Sequence, residues 1–274
     1  MNPGDDASFQ ALTRQISDVE GLALHSYKEK CLRRRIAVRM RAQGVHTYHD
    51  YQSMLQRHPE EYPKLRDSLT INVTKFYRNA ATWESLAATV LPELFQEREG
   101  RVRIWSAGCS SGEEPYTLAM VFADLASRLS RRTWLERVAI DATDIDRQCM
   151  VQAEVARYRS TAFEEAPGHF REEYCRPVDD GHEVIPSLRA LVQVRHLDLM
   201  RDPPLRAEYD LVVCRNVVIY FDRPTQEQLY HTFADVLPEE KGVLVLGKVE
   251  TLFGPVQKRF TLLDVRERIY RRCA

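Results

Sequence analysis

Residues 101–116, RVRIWSAGCSSGEEPY, constrain this chain more than any other stretch. Val102, Ile104 and Trp105 form an apolar pattern that predicts a strand. Gly108 to Gly112 then make a small-residue turn, and Glu113, Glu114 and Pro115 open a helix that continues through the apolar run Leu118–Leu125. Strand, glycine turn and helix in succession are the grammar of a nucleotide site. Two details argue against a dinucleotide: the spacing is G-x-x-x-G, and two carboxylates stand where a pyrophosphate needs bare N–H groups. A loop that repels phosphate yet allows close approach suits a cationic, phosphate-free nucleoside, of which S-adenosylmethionine is the common one. The alternative is an ordinary strand-to-helix turn whose glycines serve close packing.

The rest of the composition narrows the class. With 274 residues the chain has room for one large domain, or a small one and a larger one. Its net charge is −1, so no global field selects nucleic acid or a membrane surface, and any basic patch must be local. The start, MNPGDDASFQ, is acidic and lacks an apolar core, so no signal peptide is expected, and no apolar run approaches bilayer length. The expected location is cytoplasmic. The six cysteines are scattered without a C-x-x-C pair and read as reduced thiols. The histidines show no ligand spacing near them, so no metal is expected.

Two regions differ in pattern. Residues 8–70 read as helices only, with stripes beginning at Phe9, Leu12 and Ile16, another from Tyr27 to Ala42, and a third from His49 to Arg57. From Arg101 onward strands and helices alternate, as in a doubly wound sheet. Strands are expected at 101–107, 137–143, 191–197, 209–214 and 242–247, and helices at 114–128, 146–157 and 225–237, with a closing pair of strands at the end. Residues 158–186 lack periodicity and read as a loop or a small insert.

The second strand runs into VAIDATDID. In a doubly wound sheet the acid ending that strand faces the ribose hydroxyls, which points to Asp144, while Asp146 suits the cap of the next helix. Asp198 and Leu199, past the third strand, fit the border of an adenine pocket.

Two further segments are Asn72-Val-Thr-Lys-Phe-Tyr-Arg78 and Cys214-Arg-Asn-Val-Val-Ile-Tyr-Phe-Asp222. With SAGCSSGEEPY, ATDID and the basic YKEKCLRRRIAVRM, the chain from about Phe9 to its end resembles the chemotaxis receptor methyltransferases of the CheR type. The resemblance implies an S-adenosylmethionine-dependent protein-glutamate O-methyltransferase of bacterial chemotaxis-type receptors, with S-adenosylhomocysteine as product. It implies a Rossmann-like class I methyltransferase sheet over 76–274, an all-helical, receptor-recognising domain over 1–75, and a small β subdomain inserted at about 165–192. Carried over, Asn72, Thr74, Arg78, Gly108, Glu113, Asp144, Asp198, Leu199, Arg215 and Asn216 touch the cofactor, and Arg78 and Tyr220 act at the methyl-transfer end. The implied partners are the receptors' cytoplasmic helices, with no nucleic acid, no membrane insertion and a monomeric enzyme. The insert lacks an obvious glycine-rich loop, so the tethering to a receptor tail peptide seen in some members is not carried over to this chain.

The chemistry is consistent with that residue set. A glutamate nucleophile has a pKa of about 4.3 and is already ionised at neutral pH, so no general base is needed. A tyrosine and an arginine orient it without proton transfer, and Arg78 alternatively holds the cofactor's own carboxylate. On the second helix Leu32, Ile36 and Met40 form the buried stripe, leaving Lys30, Arg34, Arg35, Arg39 and Arg41 to meet an acidic helical substrate. A solvated basic face is the plainer reading of that charge run. Two other functions compete. A base methyltransferase typically has an Asn-Pro-Pro-Tyr-like block where this chain reads Arg-Asn-Val-Val-Ile-Tyr, and a binding-only module has no need of the intact loop.

Overall fold

Phe9, Leu12 and Ile16 fall on one helical face, and all three are buried in the folded chain. The computed structural model describes residues 3–70, 72–97 and 100–274. The chain divides into two units, Met1–Ile71 with Tyr220–Thr225, and Asn72–Ile219 with Gln226–Ala274.

The first unit is helical, built from α1 (Pro3–Glu20), α2 (Glu29–Ala42), α3 (Tyr48–Arg57) and α4 (Tyr62–Leu69). α1 packs on α3, and α2 on α4. Thr47 caps α3, its Oγ1 accepting from the Asp50 N–H at 3.1 Å, a bond of the kind that contributes about 1 kcal/mol. Glu61 is buried and ties two helices together, accepting from Arg39 Nε (2.8 Å) and Nη2 (2.9 Å) on α2 and from the Tyr51 hydroxyl (3.2 Å) on α3. Tyr27 is extended rather than helical, and α2 begins only at Glu29. Tyr27 bridges Phe221, the Lys28 N–H donates to the Tyr220 carbonyl at 2.8 Å, and the Asp222 N–H donates to Ser26.

The second unit begins earlier than the expected 75/76 boundary. Asn72 donates to Asp146, Lys75 pairs with Glu164, and Phe76 stacks on Phe163 at 4.1 Å, which commits residues 72–76 to the sheet unit. Next come α5 (Ala80–Ser85), a π turn over Leu86–Val90 and α6 (Leu91–Glu97). Alternation then sets in: β1 (Val102–Ala107), α7 (Glu113–Arg128), β2 (Val138–Asp144) and α8 (Arg147–Val155). The insert holds β3 (Arg157–Tyr158), α9 (Gly168–Tyr174), β4 (Cys175–Val178), β5 (Gly181–Val184) and α10 (Pro186–Arg189). The main sheet resumes with β6 (Val192–His196), β7 (Leu211–Cys214), α11 (Arg223–Val236) and β8 (Val243–Leu246), and closes with β9 (Phe260–Asp264) and β10 (Ile269–Arg272).

Among the described residues the main sheet has the order β6-β2-β1-β7-β8-β10-β9. The first five strands are mutually parallel and β10 runs antiparallel to β8. The order reverses between β1 and β7, so a crevice for a ligand opens at the carboxyl ends of those strands. β7 and β8 are buried at every position, which explains their unbroken Leu/Val runs.

The insert's sheet, β3-β5-β4, starts at Arg157 and so precedes the expected 165. Its centre is the buried Glu183, which accepts from Arg176 Nη2 (2.8 Å), Arg189 Nη1 (2.8 Å) and Arg157 Nε (3.1 Å), one arginine from each flanking element. Arg176 foremost, with Arg157, holds the Glu183 carboxyl below its ordinary 4.5 against the opposing effect of burial. A depressed carboxyl pKa adds stability above the unfolded value and loses it as pH falls through the folded one. Glu183→Gln is therefore expected to lower the thermal midpoint at pH 7, with the gap to wild type closing below pH 4.5. Parallel melting curves across that range check it.

Candidate active site

The site is built on the ends of β1 and β2. The N–H groups of Gly108 and Cys109 both donate to the Thr143 carbonyl, at 2.8 and 3.0 Å, which turns the chain sharply out of β1. Gly108 has φ +80°, and a Cβ there would lie 2.4 Å from Val217 Cγ2. Both the backbone conformation and the nearness of the loop after β7 thus require glycine. The Asp144 carboxylate closes the loop, Oδ2 accepting from the Ser110 N–H (2.8 Å) and Oδ1 from the Asp146 N–H (3.0 Å). Burial pushes the Asp144 pKa up, and those backbone donors oppose the rise. Asp146 caps α8, accepting from the N–H groups of Gln148 and Cys149, and its other oxygen accepts from Asn72 Nδ2 at 2.8 Å. Asn72, Gly108 and Asp144 therefore gather around one loop.

Two glutamates begin α7 and face different partners. Glu113 accepts from the Ser111 hydroxyl at 2.7 Å, and burial raises its pKa. With Thr74 it lines a cleft of about 600 Å³ that also touches Lys75, Tyr158 and Arg159. Glu114 accepts from the Ser106 hydroxyl at 2.8 Å and lies 3.6 Å from Arg215 Nη1.

Asp198 tests directly whether an adenosine fits. The residue is 7% exposed, and Oδ1 accepts from the Met200 N–H at 2.8 Å. Oδ2 is buried and accepts no hydrogen bond from any described residue, the Arg201 guanidinium standing 3.8 Å away. A buried acceptor left open costs about 1–3 kcal/mol, and a donor such as an exocyclic amino group would satisfy it. Leu199 follows it in the chain, half-buried. The ribose-type acid, the open acceptor and the glycine turn together fit S-adenosylmethionine.

Arg215 is 6% exposed, donates through Nη2 to the Arg78 carbonyl (2.8 Å) and Asn79 Oδ1 (2.9 Å), and lies 4.9 Å over the Trp83 ring. Asn216 adopts φ +60°, its N–H donating to Glu250. Glu250, unnoticed in the sequence, is buried just past β8 and accepts from the N–H groups of Asn216 (2.9 Å), Gly247 (2.6 Å) and Ile219 (3.1 Å). An acid three residues after a strand-ending glycine was the signal available for it. Arg78 is half-buried and donates to the Val73 carbonyl at 2.8 Å. Tyr220 belongs to the helical unit, where Arg35 stands 5.8 Å from its ring.

The basic helix also divides. Lys30, Arg34 and Arg41 are exposed. Arg39 is engaged by Glu61, and Arg35 is half-buried with Nη1 donating to the Ser68 carbonyl at 2.5 Å. Their guanidiniums serve helix packing, so the solvent-facing set is narrower than the charge run implies.

Residues 72–269 match the SAM-binding domain of CheR methyltransferases, and residues 7–70 match their all-alpha domain. The chain belongs to the CheR methyltransferase family. The chemotaxis protein methyltransferase of Listeria monocytogenes is 32% identical over 264 residues, covering 96% of this chain and 97% of that one. Its Escherichia coli counterpart is 30% identical over 264 residues, covering 94% and 88%. Among solved structures, a TehB-like SAM-dependent methyltransferase from Corynebacterium glutamicum aligns over 71% of this chain and 96% of its own, with a TM-score of 0.38 and 14% identity.

Asp144→Ala removes the carboxylate expected to face a ribose, and hydrogen bonds to such charged groups contribute about 1.5–3 kcal/mol. S-adenosylhomocysteine affinity is expected to fall by at least about tenfold by calorimetric titration. A folded variant with unchanged affinity would remove Asp144 from the site.

Proposed function

We propose that this CheR-family enzyme forms methyl esters on glutamate side chains of methyl-accepting chemotaxis-type receptors, by in-line transfer without a general base. One observation carries the reading: a family match over both domains coincides with a crevice whose glycine turn, ribose-type acid and open buried acceptor fit S-adenosylmethionine. When bound, that cofactor supplies a methyl group on a cationic sulfur, electrophilic without further activation.

The residues then have separable tasks. Asp144 accepts from ribose hydroxyls, Asp198 Oδ2 from the adenine amino group, and Thr74 and Glu113 line the cleft at the methionine end. Gly108 lets the backbone approach. Arg78 and Tyr220 orient the incoming carboxylate. That group is ionised well above about pH 4.3, so the work is positioning, and transfer neutralises charge. A tight ion pair to the nucleophile would slow such a reaction, which suits one partly engaged arginine and a neutral hydroxyl. No histidine stands among the described residues lining the cleft. Lys30, Arg34 and Arg41 attract glutamate-rich receptor helices, and the enzyme works on the receptors' cytoplasmic part as a monomer. No helix among the described residues is long and apolar enough to cross a membrane.

Labelled methyl transfer to receptor-bearing membranes tests the proposal. Label that enters the receptor and is released as methanol by mild base is expected, since esters hydrolyse and N-methyl groups do not. Base-stable label, or label in DNA alone, would overturn it. Reversing charge at Arg34 and Arg41 is expected to raise the receptor KM several-fold while leaving cofactor affinity unchanged, and the wild-type rate should fall with added salt. Tyr220→Phe should lower kcat and kcat/KM together by about tenfold, with the wild-type rate flat from about pH 6 to 8. Normal turnover in Tyr220→Phe would return that residue to a packing role.

A further inference from the structure

The central strand β2 carries an acid among apolar neighbours. Asp141 lies between Ile140 and Ala142 and is 2% exposed. A carboxylate so placed is costly unless it is paired and hydrogen-bonded. Arg206 holds it with two bonds, Nε to Oδ2 at 2.5 Å and Nη2 to Oδ1 at 3.1 Å, and the Tyr209 hydroxyl donates to Oδ2 at 2.9 Å. Tyr209 is fully buried, and its ring stacks on Trp105 of β1 with centroids 5.4 Å apart. Stability alone is a weak reason to keep such a pair, because well-packed apolar residues often replace one without loss.

Both partners come from the loop between β6 and β7, and the same loop begins with Asp198. Its first part is a closed turn. The Asp198 carbonyl accepts from the N–H groups of Arg201 (3.1 Å) and Asp202 (2.9 Å), and Asp202 Oδ2 accepts from the Asp198 N–H at 2.8 Å. Its last part is fixed to the sheet unit, the Tyr209 N–H donating to the Val236 carbonyl and the Asp210 N–H to the Arg103 carbonyl, each at 2.8 Å. Pro203, Pro204 and Leu205 alone separate the turn from Arg206. Consecutive prolines fix φ twice, so the link is stiff and transmits position. Pro203 and Leu205 are exposed, so they do not hold this arc by packing. Arg206 does hold it: its side chain, 37% exposed, reaches from the arc to a carboxylate that is 3% exposed.

We infer that Arg206, anchored on Asp141, is a positioning residue for the cofactor's base: it sets the place of the Asp198 turn, and so of the open acceptor Oδ2 that selects a purine bearing an amino group. The inference rests on the reading that Asp198 Oδ2 accepts from the adenine amino group, and one set of titrations separates the two. S-adenosylhomocysteine carries an amino donor at the purine 6-position. S-inosylhomocysteine carries a carbonyl oxygen there and cannot donate from it. Calorimetric affinities for both ligands, with thermal midpoints, are measured on the full chain as wild type, Arg206→Met and Asp198→Ala.

Wild type is expected to prefer the adenosyl ligand by at least about tenfold, since the inosyl oxygen leaves Oδ2 unsatisfied. Arg206→Met keeps the length of the side chain and removes both donors. Its preference is expected to fall below about threefold, through weaker binding of the adenosyl ligand, and Asp198→Ala should lose the preference as well. A merely structural role for Arg206 would lower the thermal midpoint and weaken both ligands alike. A wild-type ratio in Arg206→Met, with the preference lost in Asp198→Ala, would therefore overturn the inference and leave Asp198 in place. No preference in wild type, or a full preference in Asp198→Ala, would overturn the reading of Asp198 and the inference with it. Should Arg206→Met fail to fold because Asp141 is left without its counter-charge, the double variant Asp141→Leu/Arg206→Met replaces it, removing the charge together with its partner. The same loss of preference is expected, and a wild-type ratio would overturn the inference.

Discussion

One carboxylate organises the site. Asp144 accepts from the backbone of Ser110 on one side and of Asp146 on the other, so the glycine turn after β1 and the turn after β2 form a single piece. Everything nearby depends on that stitch. Asp146, held in place, caps α8 and takes the Asn72 amide, which fixes the start of the segment leading to Arg78. Gly108 lies against Val217, so the loop after β7 packs onto the same turn. Three segments far apart in sequence are thus bound to the ends of two adjacent parallel strands.

The charge balance around this piece explains which ligand it accepts. Glu113, Glu114, Asp144 and Glu250 all have pKa values raised by burial. The protein spends desolvation free energy to keep carboxylates here, and a phosphate would add to that cost. A cationic ligand offsets it, because an opposite charge nearby restores the ionised form. Glu250, like Asp144, accepts from backbone N–H groups, and through them it braces the loop after β7.

Much of this was legible in the sequence because it depends on local pattern. β1 at Val102–Ala107, β2 at Val138–Asp144 and α7 at Glu113–Arg128 lie within a residue of where periodicity and the glycine turn put them. Asp146 as a cap followed from residue type and spacing. What escaped was long-range. Nothing local shows that residues 72–75 belong with the sheet, since their partners Asp146 and Glu164 lie far along the chain. The extended stretch at Tyr27 depends on Phe221, and the inward turn of Arg215 depends on Asn79 and Glu114. A sequence gives the charge of an arginine and not the number of acceptors it will find.

Arginine is where composition and surface part company. A guanidinium presents five donors in a plane, so one side chain can satisfy several acceptors at once. On α2 this consumes much of the apparent basic face: Arg33 pairs with Asp6 and Glu29, Arg35 with the Ser68 carbonyl, and Arg39 with Glu61. Breaking a buried pair of the Arg39–Glu61 kind costs about 3–5 kcal/mol, so that contact is held by folding itself. Lys30, Arg34 and Arg41 remain in solvent, where each charge is screened and individually weak. An acidic partner drawn to this helix therefore meets three exposed charges rather than the helix's six basic residues. Such a surface favours rapid, salt-sensitive capture and release of an acidic partner over a long-lived complex.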